Sequence, residues 1–156
     1  MGADGSPPPK EPGSERVINS GRLTLEQKDD AGDLLWVVHG KSSTTISQEG
    51  GETISELQGV TGEIYEKSVI VSRFSSDKGV ASDKDKAIQL DGRVTIISEK
   101  DKATLTAATV KWDDQQKLYD ARGDVRIKSQ TYEAKAERLL ANSTLKKIGT
   151  PDLFKK

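Results

Sequence analysis

The sequence predicts an all-β fold: stacked antiparallel strands around a long apolar interior. Three observations carry this reading. First, Ile88-Gln89-Leu90-Asp91-Gly92-Arg93-Val94-Thr95-Ile96 recurs as Tyr119-Asp120-Ala121-Arg122-Gly123-Asp124-Val125-Arg126-Ile127, 31 residues later. The same offset relates Phe74 to Leu105, Ser76 to Ala107, Gly79 to Val110 and Ala81 to Trp112. A fixed period of this size marks stacked copies of one supersecondary unit. Second, apolar and polar residues alternate within each unit, the period of a half-buried strand. Third, no segment sustains a helical period.

Taken in order, the first residues, Met1 to Ser14, are rich in Pro and Gly and too poor in apolar side chains to fold. Residues 1–16 therefore read as a disordered tail or linker, or as the scar of a removed targeting segment. Structure is expected from near Arg16. Leu23-Thr24-Leu25 and Leu34-Leu35-Trp36-Val37-Val38 are strands joined by the turn Asp29-Asp30-Ala31-Gly32-Asp33, so residues 17–38 form a hairpin. Thr44-Thr45-Ile46 is a weaker strand and Glu49-Gly50-Gly51-Glu52 a turn. Thr53 to Leu57 leads into Gly59-Val60-Thr61-Gly62, where the glycines predict a bulge or bend. Ser68 to Phe74 is a strand, and the polar stretch Ser75 to Lys86 matches a later strand by the 31-residue offset. It is read as an edge strand with a charged outer face. Strands follow at 87–97, 103–112, 117–128, 131–141 and 144–148. Residues 132–141 have helix-forming composition, but Ala136 and Leu139 take the places of Ala107 and Val110 in the preceding unit, so a strand is expected.

The inward face changes parity along these strands. Leu105 and Ala107 share one parity, Val110 and Trp112 the other, and the same three-residue step separates Ala136 from Leu139. A switch of face requires a bulge or corner. Neighbouring strands that bend at one place make a folded-over sheet with a trough between its walls.

Composition limits the chemistry. The chain has 156 residues, a formal net charge of −1 and no cysteine. That is enough for one domain with a real core. It leaves no basic footprint for nucleic acid, and no disulfide or thiolate nucleophile. No apolar run is long enough to span a bilayer. His39, the only histidine, stands beside Gly40-Lys41-Ser42-Ser43 and is read as a surface or hydrogen-bonded residue. No G-x-S-x-G elbow is present. Asp83-Lys84-Asp85 departs from a calcium loop because Ala87 and Ile88 occupy positions that need a ligand and a glycine. The expectation is no enzyme, no cofactor and no metal. Arg93, Arg122, Arg126 and Lys128 alternate with inward residues and form the wet face of the sheet.

The opening Asp29-Asp30-Ala31-Gly32-Asp33-Leu34-Leu35-Trp36, the two Leu/Ala-x-Gly-x-Val-x-Ile segments, Leu105-Thr106-Ala107 and Val110-x-Trp112-Asp113 resemble, over roughly residues 17–150, the LptC family of lipopolysaccharide-export bridge proteins, with its LptA and OstA-type relatives. The resemblance implies a V-shaped β-jellyroll of two antiparallel sheets with an apolar groove at 17–150, followed by a tail at 151–156. It implies transport: lipid A acyl chains lie in the groove and pass along a periplasmic bridge from inner to outer membrane. The implied partners are lipopolysaccharide, LptA-like jellyrolls at the C-terminal edge and the inner-membrane extractor complex at the N-terminal edge. Anchoring in the inner membrane would come from an N-terminal helix that this chain lacks. The groove residues expected are Trp36, Val38, Val69, Val71, Phe74, Leu90, Val94, Ile96, Leu105, Val110, Trp112, Tyr119, Val125, Ile127 and Leu139. Ordinary core packing between two sheets produces the same alternation, and the two tryptophans serve equally as structural anchors. A self-assembling β-solenoid or adhesin-like module without lipid is the alternative function.

Overall fold

A computed structural model describes residues 15–48, 51, 53–82, 87–100, 102–113 and 116–150. Residues 1–14 of the expected N-terminal tail, the C-terminal tail, much of the turn at 49–52, the Asp83-Lys84-Asp85 stretch and Asp114 lie outside these residues, whereas Glu15 and Arg16, expected in the tail, open the first strand. Among the described residues ten strands are formed: β1 (Glu15–Ser20), β2 (Leu23–Lys28), β3 (Leu34–Gln48), β4 (Thr53–Glu66), β5 (Val69–Ser82), β6 (Ala87–Ser98), β7 (Thr104–Asp113), β8 (Leu118–Lys128), β9 (Glu133–Asn142) and β10 (Ile148–Gly149). From β3 to β10 each strand pairs antiparallel with the next. The 132–141 segment is strand, as its position in the repeat required: its small and apolar residues gain more from lying on the sheet than its helix propensity offers alone.

The first two strands share one neighbour. β2 pairs with Leu34–Gly40 of β3 and β1 with Ser43–Gln48. The Asp29 turn makes the expected hairpin, with the Asp29 carboxylate accepting from the backbone N–H groups of Ala31 and Asp33, both at 2.9 Å. The weak strand expected at Thr44 is the second half of the 15-residue β3. Ser75–Ser82 is a strand but not an edge: it is the second half of β5, paired with both β4 and β6. The repeat fixed its conformation, and its charges, Asp77 and Lys78, sit on an outer face of a central strand.

The parity switch is one continuous crease. The β5–β6 register slips between Ser75 and Lys78, β6–β7 between Asp91 and Val94, β7–β8 between Thr106 and Thr109, and β8–β9 between Arg122 and Val125. At this line Gly92 and Gly123 both have φ +85°, and the residues after them, Arg93 and Asp124, both have φ +47°. Two consecutive left-handed residues insert the bulge that turns the strand. The two sheets expected are thus the two halves of a single sheet folded along the crease. One wall holds the first halves of β3, β5, β7 and β9 with the second halves of β4, β6 and β8; the other wall holds the rest. A Cβ at Gly123 would stand 2.7 Å from the Ala108 Cβ. Gly123→Ala therefore combines backbone strain with a clash, and should lower stability by about 2–4 kcal/mol. Adding Ala108→Gly should recover only the clash, which paired denaturant titrations will show.

Hydrogen bonds between distant strands prove the fold-over. Ser72 on β5 bonds the Tyr119 hydroxyl on β8 at 2.5 Å, although two strands separate them within the sheet. Glu66 at the end of β4 accepts from Ser143, beyond β9. Both bonds join the ends of the walls farthest from the crease. Between the walls lies one apolar cluster running from Trp36 to Leu145.

Candidate functional site

The space between the walls gathers nearly every residue expected to line a groove. All are buried in the one cluster except Val71, which packs partly against it, and Val69, which is 62 % exposed. Alternation counted from Phe74 puts Ser72, opposite Ile64, on the inner face and Val71 off it. The β4–β5 register then shifts beside Val71, and Val69 pairs with Glu66 at the end of the hairpin, clear of the cluster. The interior also holds Leu57, Val60, Ile64 and Leu145, which the sequence pattern did not single out. The first three alternate across Gly59, whose φ of +61° resets the parity of β4. Leu145 lies in a loop, where no periodicity can point to it.

From crease to mouth the interior becomes more polar and more aromatic. Val94, Ala107 and Val125 lie next to the crease; Leu105 pairs with Ile96 and Ile127 in the middle of one wall. At the mouth, Trp112 pairs with Tyr119, their rings tilted and 4.7 Å apart. Ser72 and Ser98 are opposite each other on the facing wall, both fully buried. The indole N–H groups of Trp36 and Trp112 are buried without an acceptor. Each such orphan costs about 1–3 kcal/mol.

A loop straps the mouth. After β9 the chain turns on itself, the Asn142 side-chain oxygen accepting from Lys146 N at 2.9 Å and Lys147 N at 3.0 Å. Leu145 adopts φ +59° and is driven into the cluster, 1 % exposed. Ser143 ties this loop to Glu66, and the Tyr132 hydroxyl donates to the Leu145 carbonyl at 3.3 Å. The loop thus bridges hairpin tips of the opposite wall, the β4–β5 and β8–β9 tips. Beside it a cavity of about 330 Å³ is bounded by Ala103, the Ser129–Tyr132 turn, Leu145 and Lys146.

Burial pushes the Tyr119 hydroxyl well above its ordinary value of 10.0, partly offset by the bond to Ser72. The folded state then keeps a proton that the unfolded chain releases. Stability from this group is intact below pH 10 and falls as pH rises past it, with a slope approaching about 1.4 kcal/mol per pH unit. Tyr119→Phe should flatten the alkaline limb of the stability profile, measured by urea titration from pH 8 to 11.

The outer faces carry charge in a different way. Asp120 binds both Arg138 and Arg122, at 2.9 and 3.1 Å. Burial raises its pKa, but the hydrogen bonds from the two arginines outweigh that and hold the carboxyl below the usual range. Asp77 and Arg93 pair at 2.9 Å next to the crease. His39 lies 3.1 Å from the Thr24 hydroxyl and 3.5 Å from Glu63, between neighbouring strands on the outer face. Except for Asp120–Arg122, which lies along β8, these are cross-strand pairs, and each is modest in energy because it faces water. Among the described residues no group of acidic or histidine side chains is arranged to hold a metal, and no helix is long and apolar enough to cross a membrane.

An open-ended sheet folded around an apolar interior, matching the expected motifs in their expected order, agrees with comparison to known families. The family model described as lipopolysaccharide-assembly, LptC-related, matches residues 15–149. The chain belongs to the LptC family. The match runs from the first residue of β1 to the last of β10. No curated protein matches the chain. LptC proteins belong to the lipopolysaccharide-transport bridge of the periplasm, alongside lipopolysaccharide and other Lpt proteins, and are not an enzyme family. The folded sheet is accordingly the LptC fold of this chain, and its interior is the place to seek the cargo site.

Proposed function

We propose that this LptC protein carries lipopolysaccharide by holding its acyl chains between the two walls and passing them to the next module of the bridge. The observation that supports this most is the shape of the apolar cluster: it is continuous from β3 to β9 and bounded by a crease on one side and a mouth on the other. Chains would lie toward the crease with sugars at the mouth. Each CH₂ removed from water contributes about 0.8 kcal/mol, so a few chains suffice for firm retention. Onward movement then depends on neighbouring modules of similar affinity. The walls are packed together, so loading requires them to part and the Ser72–Tyr119 bond to break.

The ends of the sheet support a place in a chain of modules. β10 covers only Leu140 and Ala141 of β9, leaving the stretch from Glu133 to Arg138 paired on one side alone among the described residues. An LptA-like jellyroll would add its strand there by β-augmentation. At the opposite end, the outer edges of β1 and β2 would meet the inner-membrane extractor. Attachment to the inner membrane through a preceding helix completes the reading.

The test uses a small photoreactive leucine, which fits a packed interior. A diazirine-bearing leucine analogue is placed at Leu105 or Leu139, both buried, and at Ile97, 41 % exposed on the outer face. Irradiation with lipopolysaccharide should give adducts at the first two positions and none at Ile97. Absence of adducts at both inner positions, in folded protein with lipid in excess, would overturn the reading.

A further inference from the structure

The two orphaned indoles occupy related places. Trp36 is opposite Ile64, and Ile64 is opposite Ser72. Ser72 bonds Tyr119 across the mouth, and Tyr119 is opposite Trp112. Both tryptophans therefore stand on the mouth-side row of their walls, one on each wall, 3 % and 1 % exposed. A phenylalanine would fill much of the same space and leave no donor unpaired. Burying two N–H groups without acceptors is unfavourable in the closed protein, and the donors lie where a bound amphiphile changes from chain to headgroup. At that level an acylated sugar carries ester and amide carbonyls. Those acceptors leave water when the chains enter, and then need donors of their own.

We infer that the Trp36 and Trp112 N–H groups are ligand donors, unpaired in the closed protein and hydrogen-bonded to the linkage carbonyls of an acylated amphiphile in the loaded one. This rests on the lipid-carrying reading above. It adds a recognition element to a site otherwise governed by area: ester- or amide-linked chains are preferred to ether-linked chains of the same length.

The experiment compares lipid A with an ether-linked dialkyl phosphate of matched chain length. Ultraviolet resonance Raman spectra of the unaltered protein report hydrogen bonding at the indole N–H. The expected result is binding of both amphiphiles, with the indole band shifting to its hydrogen-bonded position only for lipid A. Trp36→Phe and Trp112→Phe should each weaken lipid A about fivefold more than they weaken the ether lipid, the value of one ordinary hydrogen bond. Binding of both lipids with an unshifted indole band overturns the inference while leaving the transport reading intact. Binding of neither overturns the transport reading, and this inference with it. If a phenylalanine variant does not fold, the Raman comparison on the unaltered protein still decides.

Discussion

Leu105→Asp is expected to abolish cooperative folding at neutral pH. Leu105 is fully buried between Ile96 and Ile127 in the middle of one wall. Losing the leucine packing costs about 2–5 kcal/mol. An unpaired carboxylate in that place adds several more, or is neutralised at similar expense. The total rivals the whole stability of an ordinary domain, about 5–15 kcal/mol. Leu105→Ala should fold and melt roughly 5–20 °C lower. The pair of variants distinguishes a packed core from an open trough, because both give the same sequence alternation. In an open trough the introduced carboxylate would meet water, and the melting temperature by circular dichroism would stay within a few degrees of the parent. The sequence alternation is compatible with either outcome; the burial of Leu105 selects the unfolded one.

How much of this was legible in the chain depended on periodicity. Leu90, Val94, Val110 and Val125 announce their inward position by alternation, and Gly92 and Gly123 announce the crease by repeating at one offset. Apolar character alone misleads at Val69 and Val71: Ser72 shares the parity of Phe74 and is the buried residue, and Val69 is exposed at the end of the hairpin. Topology was harder. Ser75–Ser82 carries the charge expected of an edge, yet it is central, because charge records exposure of one face and not the presence of a neighbour. The mouth was out of reach. The Ser72–Tyr119 and Glu66–Ser143 bonds join residues 47 and 77 positions apart, and Leu145 enters the core from a turn. Nothing local in the sequence encodes such pairings. They arise only once the sheet has closed on itself, and they are the contacts that decide whether the interior is open or shut.

Joining residues 66 and 143 covalently should produce a stable protein that does not load lipid. The chain has no cysteine, so Glu66→Cys with Ser143→Cys supplies a single addressable pair. In the parent the two side chains are hydrogen-bonded across the mouth, one on the β4 tip and one on the strap after β9. Neither is a large apolar residue, so the substitution removes a hydrogen bond and leaves the apolar packing in place. A short bis-thiol alkylating reagent then fixes the two walls at their closed separation. Cross-linking loops this long in sequence also constrains the unfolded chain, and a gain of roughly 2–4 kcal/mol is expected, by analogy with a disulfide. Loading is where the larger effect lies. If acyl chains enter by parting the walls, the bridged protein must either break a covalent bond or leave most of its apolar interior inaccessible, and lipopolysaccharide binding should fall at least tenfold against the unbridged double variant. The unbridged variant controls for the lost Glu66–Ser143 contact and should bind as well as the parent or better, since its mouth opens more readily. Equal loading of bridged and unbridged protein would mean that cargo reaches the interior from the open ends of the sheet, along the crease, with the walls never separating at Ser143.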